Sequence, residues 1–164
     1  YKDALARVIE AASVRPATGR AATPPLPIEQ PGESNKSADI RIYDILQGAD
    51  GHLLLPSNYG ILRLDPQTGA TAYAQLAGEP ATAPVRTLLR SGNGDLWVAP
   101  HDAGLVHYHD GHLLQRFGKQ QGLASNSVVV LAQDHAGNIW AGTTNGVSMI
   151  NPGTGKIRTF REIP

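Results

Sequence analysis

The sequence predicts an all-β protein built from three four-stranded antiparallel β-propeller blades. Two observations support this fold class. One pattern of residues recurs along the chain with a spacing of 43 residues. Each copy consists of short runs of β-branched and aromatic residues separated by Asn, Asp and Gly, which is typical of consecutive antiparallel strands. A repeat of this length with four short strands indicates a propeller blade.

The register of the repeat is fixed by several columns of equivalent residues. They are Gly51, Gly94 and Gly137; Leu53, Leu96 and Ile139; Leu54, Trp97 and Trp140; and Ile42, Val85 and Val128. A further glycine drifts by one residue between copies, as Gly60, Gly104 and Gly146. A loop tolerates such a drift, whereas a slip inside a strand would turn every side chain to the other face. The drifting glycine therefore marks a turn.

Each copy divides into four predicted strands within blades at 38–80, 81–121 and 122–162. The inner strands are 42–47, 85–90 and 128–133, and the second strands are 53–56, 96–99 and 139–142. The third strands are 60–65, 104–109 and 146–151, and the outer strands are 70–75, 112–117 and 156–161. Trp97 and Trp140 lie in second strands, where a large side chain fills the gap between adjacent blades. We expect Trp140 to pack against the preceding blade.

Residues 1–37 precede the repeats and form a separate region, whereas 38–164 form a partial propeller. Leu5, Val8, Ile9 and Ala12 share one helical face, which predicts a short amphipathic helix over 1–14. Docking on its own domain is the expected role, and a partner or membrane helix is the alternative. Residues 15–37 are rich in Pro, Gly, Ser, Thr and Ala, which indicates a linker or an arm lying on the surface.

Composition limits the function classes. The chain has 14 basic and 14 acidic residues, so nothing indicates a nucleic-acid partner or an acidic membrane surface. No apolar run is long enough for a membrane span, and the lack of cysteine excludes disulfides. The first residue is Tyr1, so we expect a longer protein whose signal peptide or membrane anchor lies outside this chain. A closed propeller has roughly four to eight blades. Further blades are therefore expected, in the same protein or in a second copy.

One end of the propeller is the expected ligand site. In a four-stranded blade, the start of the inner strand and the turn between second and third strands lie at the same end, around the central channel. The candidate ligand-binding residues there are Arg41, Asn58, Tyr59, Arg86, His101 and Asn145. A guanidinium presents a planar fork that suits a carboxylate, a sulfate or a pair of sugar hydroxyls. Alternatively, Arg86 pairs with an acidic residue and fixes blade packing. Asn126 and Ser127 are expected to cap turns.

The histidines are concentrated in the second copy, where four lie between His101 and His112. His107 and His109 project from one face of a strand, whereas a metal site needs ligands that converge on a point. They are therefore expected to be exposed strand histidines, and no metal or cofactor is predicted. The sequence also has no phosphate loop, nucleophile elbow or HExxH motif, so no catalytic residues are assigned.

The third copy resembles a known family. Its GL-A-SNSV, GNIW-A-GT and NP-x-TGK segments, within 122–160, are similar to the two-component regulator propeller repeat. The resemblance is fair over 82–118 and weakest over 38–76, where Leu54 replaces tryptophan. It implies the periplasmic sensor region of a bacterial hybrid histidine kinase or diguanylate cyclase receptor.

The resemblance implies a non-enzymatic module for signal transduction. It would bind a small molecule or an oligosaccharide, and the output domain would lie outside this chain. One alternative is a propeller lyase acting on cyclic antibiotics, for which His101 is the candidate residue. The SNSV start of the third copy fits the regulator repeat better. Another alternative is a lectin or scaffold that oligomerisation completes.

Overall fold

The computed structural model describes residues 28–29, 39–48, 50–80 and 82–161. The helix predicted over 1–14 lies outside the described residues, as does most of the predicted linker. The described chain folds into three antiparallel sheets that follow one another along the sequence. The predicted all-β class and the three blades are confirmed.

The four strands of each blade run in chain order from the inner to the outer strand, and the first sheet has one further strand at its outer edge. The first contains β1 (Ile28–Glu29), β2 (Leu46–Gln47), β3 (Leu53–Ser57), β4 (Gly60–Leu64) and β5 (Thr71–Ala74), in the order β1-β5-β4-β3-β2. The second contains β6 (Val85–Arg90), β7 (Leu96–Pro100), β8 (Leu105–His109) and β9 (His112–Phe117). The third contains β10 (Val128–Gln133), β11 (Ile139–Thr143), β12 (Gly146–Ile150) and β13 (Ile157–Phe160). A 3-10 helix, Lys119–Gln121, connects the second blade to the third.

The first blade departs from the predicted pattern at its outer edge. β1 pairs with β5 through Ile28 opposite Ala74 and Glu29 opposite Tyr73. Two residues of the predicted linker therefore form a fifth strand, at the position where a four-stranded blade would end.

The first blade also departs at its inner edge, where the predicted strand 42–47 is shorter. Only Leu46–Gln47 is a strand, and Ile42 makes a single bridge to Ser57. Tyr43 N donates to the carbonyl of Pro56 (2.9 Å), but a proline nitrogen returns no hydrogen bond. The equivalent residue of the second blade is Ala99, which pairs with Thr87. Pro56 therefore interrupts the ladder in the first blade alone.

Most of the described core lies between the blades, because alternate side chains of each strand face opposite neighbours, and a smaller cluster of Leu53, Leu55 and Leu64 belongs to the first blade alone. Leu54, Ile61 and Ala74 of the first blade are clustered with apolar residues of the second. The second and third blades share an equivalent cluster. It contains Trp97, Leu105 and Phe117 on one side and Val128, Ile139, Ala141 and Ile150 on the other. The two interfaces thus use equivalent positions.

Trp97 and Trp140 occupy equivalent positions with different surroundings. Trp97 is 0% exposed and packs between the second and third blades, as expected. Trp140 does not pack against the preceding blade, so that expectation is wrong. Its neighbours Ile139 and Ala141 face the second blade, which by strand alternation turns Trp140 the other way. Trp140 stacks on Phe160 with ring centroids 5.8 Å apart, on the outer face of the third blade.

Candidate functional site

One end of the blades, here named the channel end, collects the starts of the inner strands and the turns after the second strands. Each turn donates one backbone hydrogen bond to the strand start of its own blade. These bonds run from Asn58 N to Arg41 O (3.3 Å), His101 N to Pro84 O (2.8 Å) and Thr144 N to Ser127 O (3.1 Å). The three donors are equivalent residues, as are the three acceptors. The sequence-predicted candidates are therefore placed at the same end of their blades.

Asn58 has a structural role at the channel end. Its Oδ1 accepts a hydrogen bond from Arg41 N (2.7 Å), and its Nδ2 donates to Asp39 O (3.1 Å). Both ends of the side-chain amide thus hold the preceding segment in place. The Arg41 residue itself is exposed. Of this pair, Arg41 is the residue with a side chain suited to meet a ligand.

Arg86 lies against an aromatic ring. Its guanidinium carbon is 4.9 Å from the centre of the Tyr43 ring, which is a cation–π distance. Tyr43 and Arg86 are equivalent residues at the inner edges of adjacent blades, and Tyr43 remains 37% exposed. Beside them, Thr87 Oγ1 donates to Asp44 Oδ2 (2.6 Å), which also joins equivalent positions. Tyr43 is not among the sequence-predicted candidates, although its spacing of 43 residues from Arg86 marks it as the equivalent position.

The remaining candidates lie on the second-strand turns. His101 Nδ1 is 3.1 Å from Asp102 Oδ2, and both side chains are about half exposed. Tyr59 N and Asn145 N donate to Ser57 Oγ and Thr143 Oγ1, each at 3.1 Å. These hydroxyls fix the turns and leave Asn145 exposed.

Of the two motif residues expected to cap turns, Asn126 does so, whereas the serine hydroxyl that accepts a hydrogen bond is that of Ser125 and not of Ser127. Asn126 Oδ1 accepts a hydrogen bond from Lys119 N (2.8 Å), at the start of the 3-10 helix. Ser127 N donates to Ser125 Oγ (3.1 Å). This part of the motif therefore builds the connection between blades.

A second polar cluster lies at the other end of the second blade, named the hairpin end. Asp95, at the start of β7, accepts hydrogen bonds from His107 Nε2 (2.6 Å) and His109 Nδ1 (2.5 Å). His107 is buried, so the expectation that both are exposed strand histidines is wrong for it, while His109 is exposed. The cause is the register of the hairpin, which sets His107 opposite Trp97.

The electrostatics of the cluster follow from its burial and hydrogen bonds. Burial by itself raises the pKa of the Asp95 carboxyl, but hydrogen bonds from His109, His107 and Asn93 outweigh it and lower the pKa. The hydrogen bond with Asp95 raises the pKa of His109, and the nearby Asp110 carboxylate adds to this effect. Asp95 is thus held as an anion between two imidazoles.

Metal and membrane features are absent from the residues that the structure describes. Within 28–29, 39–48, 50–80 and 82–161, no three His, Asp or Glu side chains are placed to hold a metal ion. Over the same ranges, no helix has the length and apolar character needed to span a bilayer.

Comparison with protein families places a known repeat in the third blade. Residues 122–145 match the family described as two component regulator propeller. The third blade therefore carries this repeat. No curated protein matches the chain.

Comparison with solved structures shows the propeller fold. Extracellular domains of two hybrid two component systems from B. thetaiotaomicron match with TM-scores of 0.63 and 0.58, at 19% and 23% identity. They cover 73% and 71% of this chain, which in turn covers only 18% and 16% of those chains. A catalytically inactive virginiamycin B lyase from Staphylococcus aureus matches with a TM-score of 0.58 at 18% identity, covering 85% of this chain and 46% of the lyase. The chain thus spans a small part of the first two proteins.

Proposed function

We propose that this chain is part of the extracytoplasmic, ligand-binding sensor propeller of a bacterial signal-transduction receptor, with the output domain elsewhere in the protein. The observation that carries the proposal is the pair of arginines at the channel end, where Arg41 is exposed and Arg86 rests on Tyr43. The regulator repeat at 122–145 and the fold shared with extracellular domains of hybrid two component systems support it.

The chemistry of the channel end favours a small anionic ligand or an acidic oligosaccharide. A guanidinium donates two parallel hydrogen bonds to a carboxylate or a sulfate. The half-exposed ring of Tyr43 adds an apolar face beside this donor, against which the carbon face of a sugar ring packs. His101 and Asn145 supply further polar groups at the same end.

A thermal-shift screen of acidic sugars and small carboxylates tests the proposal on this chain. We expect a ligand that binds to raise the melting temperature of the wild type. The increase should be smaller for Arg86→Lys, because lysine keeps the positive charge but lacks the planar guanidinium fork. The paired change Arg41→Ala with Arg86→Ala should abolish the ligand-induced shift. An unchanged affinity in that double variant would show that the ligand does not bind at the channel end.

The same variants test whether Arg86 has a packing role instead. Arg86→Ala removes the contact with Tyr43, and a cation–π contact at a partly exposed site contributes about 0.5–1 kcal/mol. A small decrease in melting temperature is therefore expected without ligand. A large decrease with retained ligand binding would assign Arg86 to the packing of the first two blades.

A propeller lyase is the second candidate function, favoured by the exposed His101–Asp102 pair. A carboxylate beside an imidazole orients it to accept a proton. Incubation with quinupristin, the compound in the lyase structure, tests this alternative by mass spectrometry. Ring opening by the wild type that is lost in His101→Ala would establish lyase activity. If the antibiotic stays intact, the result supports the sensor function and not the lyase.

We also propose that a further blade covers the outer face of the third blade. Val130 on this side of the chain is 58% exposed, and Trp140 and Phe160 are partly exposed. The equivalent residues of the second blade, Trp97 and Phe117, are buried under the third. The covering blade belongs either to a longer form of the protein or to a second copy. Light scattering distinguishes these, since only the second requires this chain to oligomerise.

A further inference from the structure

We propose that Asp95, His107 and His109 form a proton-binding clamp that couples the packing of the second and third blades to pH. The inference goes beyond the sensor proposal and does not depend on it. The clamp is at the hairpin end, away from the candidate ligand residues of the channel end.

Both oxygens of a buried carboxylate are engaged in the clamp. Asp95 is 5% exposed. Its Oδ2 accepts from His107 Nε2 (2.6 Å), its Oδ1 accepts from His109 Nδ1 (2.5 Å), and Asn93 Nδ2 donates to Oδ2 (3.0 Å). A buried charge destabilises the fold unless a partner neutralises it. Protonation of an imidazole supplies that partner.

His107 connects the carboxylate to the interface between blades. Its ring lies flat on Trp97, with centroids 3.9 Å apart and planes within 9°. Trp97 is fully buried and belongs to the cluster that joins the second blade to Val128 and Ile139 of the third. A change in the position of His107 therefore alters the packing at this interface.

The ionisable groups around the clamp come from several elements. Asp110, on the turn after β8, places Oδ2 3.4 Å from His109 Nε2. On β6, Arg90 donates to Gly94 O (3.1 Å). The third blade contributes apolar residues to the Trp97 cluster, and its hairpin carboxylate Asp134 is bonded to Trp140 and Asn138. The two histidines are thus the ionisable groups that bond to Asp95, and the hydrogen bond with Asp95 raises the pKa of His109.

The direction of the pH effect follows from His109, whose side chain is 54% exposed. Its pKa in the folded state is raised above the ordinary value of 6.5 by the hydrogen bond with Asp95. A group with a raised folded pKa gives stability that is fully present below its unfolded pKa and is lost as pH rises through the folded value. The clamp therefore stabilises the fold in mildly acidic solution and weakens towards mildly basic solution.

Urea unfolding at about pH 5.5 and about pH 8, on either side of the histidine range, tests the clamp. The key variant is His109→Asn, because the asparagine amide places a donor near the position of Nδ1 but does not titrate. His101→Asn is the matched control. His101 also lies beside a carboxylate, that of Asp102, but the side chains of both residues are exposed. Fluorescence of Trp97 in a Trp140→Phe background reports the stacked ring.

We expect the wild type to unfold at lower urea at the higher pH, and His101→Asn to keep this difference. His109→Asn should lose most of it and should fold normally, because the replaced side chain is on the surface. Trp97 fluorescence should change over the same pH range in the wild type and not in His109→Asn. A His109→Asn chain with the full wild-type difference, or a wild type without any difference, would overturn the proposal.

Discussion

At the scale of single residues, the two tryptophans differ at the indole nitrogen. Trp140 Nε1 donates to Asp134 Oδ2 (2.8 Å). The residue equivalent to Asp134 in the second blade is Ser91, and the buried Trp97 Nε1 has no hydrogen-bond partner among the described residues. The second copy of the repeat therefore retains the tryptophan, although it has no carboxylate at the position of Asp134. Packing against the third blade and stacking on His107 hold Trp97 instead.

Asp134 gives an acid-dependent prediction. Hydrogen bonds from Trp140 and Asn138 lower its pKa to about 2 from 3.8. A lowered folded pKa gives stability that is present above the unfolded value and is lost as pH falls through the folded value. As the pH falls from 3.8 to about 2, Asp134→Ala should therefore lose less of its folding stability than the wild type does. Circular dichroism during acid titration measures this.

The other acidic residues limit the size of that effect. The pKa values of Asp50, Asp65 and Asp95 are also lowered, so part of the acid sensitivity should persist in Asp134→Ala. Asp134→Asn is the control that keeps an acceptor for Trp140 without the charge. Identical acid titrations in all three proteins would show that Asp134 does not contribute.

At the scale of strands and turns, the 43-residue register predicted most elements within one or two residues. Inner strands 85–90 and 128–133 were predicted with their observed bounds. β1 was not predictable, because two residues in a proline-rich stretch have no periodicity of their own. The break at Pro56 was predictable from its missing N–H, although the repeat alone concealed it.

The turn glycines give a matched pair of variants. Gly104 (φ +82°) and Gly111 (φ +78°) both have left-handed backbones, but an added Cβ meets the Phe117 carbonyl at 2.1 Å only at Gly104. Gly111→Ala adds backbone strain of about 1 kcal/mol. Gly104→Ala adds a steric clash as well, and should lower the free energy of unfolding by at least about 2 kcal/mol.

Urea denaturation compares the two alanine variants directly. The larger loss in Gly104→Ala would show that the glycine is needed for the close approach of the outer strand, and not only for its φ angle. Equal losses would mean that the outer strand moves away at little cost.

At the scale of the whole molecule, the sequence predicted the blades and their order but not the direction in which each face points. Period-two alternation assigns Trp97 and Trp140 to the same side of their blades. It does not say whether that side meets the preceding or the following blade. That choice depends on how one sheet packs on the next, and the burial of Trp97 under Val128 and Ile139 decides it.

The candidate site was predictable only in part, for a related reason. The spacing placed Arg41, Arg86 and His101 at one end of their blades. It did not predict the contact between Arg86 and Tyr43 or the burial of His107 against Trp97. Both are contacts between side chains on different strands, and they depend on strand pairing and on the angle between neighbouring sheets.

The unequal environments of the two tryptophans give the last prediction. Trp97→Ala removes a fully buried side chain from the contact between two blades, and such a change costs about 3–5 kcal/mol. Trp140→Ala removes a partly exposed side chain that packs mainly on Phe160 of its own blade, so it should cost less than half as much. Urea denaturation of the two variants at low protein concentration measures the difference.

Equal costs would mean that the outer face of the third blade is already covered in this chain. A cost for Trp140→Ala that rises with protein concentration would identify a second copy as the cover. A small, concentration-independent cost is the result expected if the covering blade lies in a longer form of the protein.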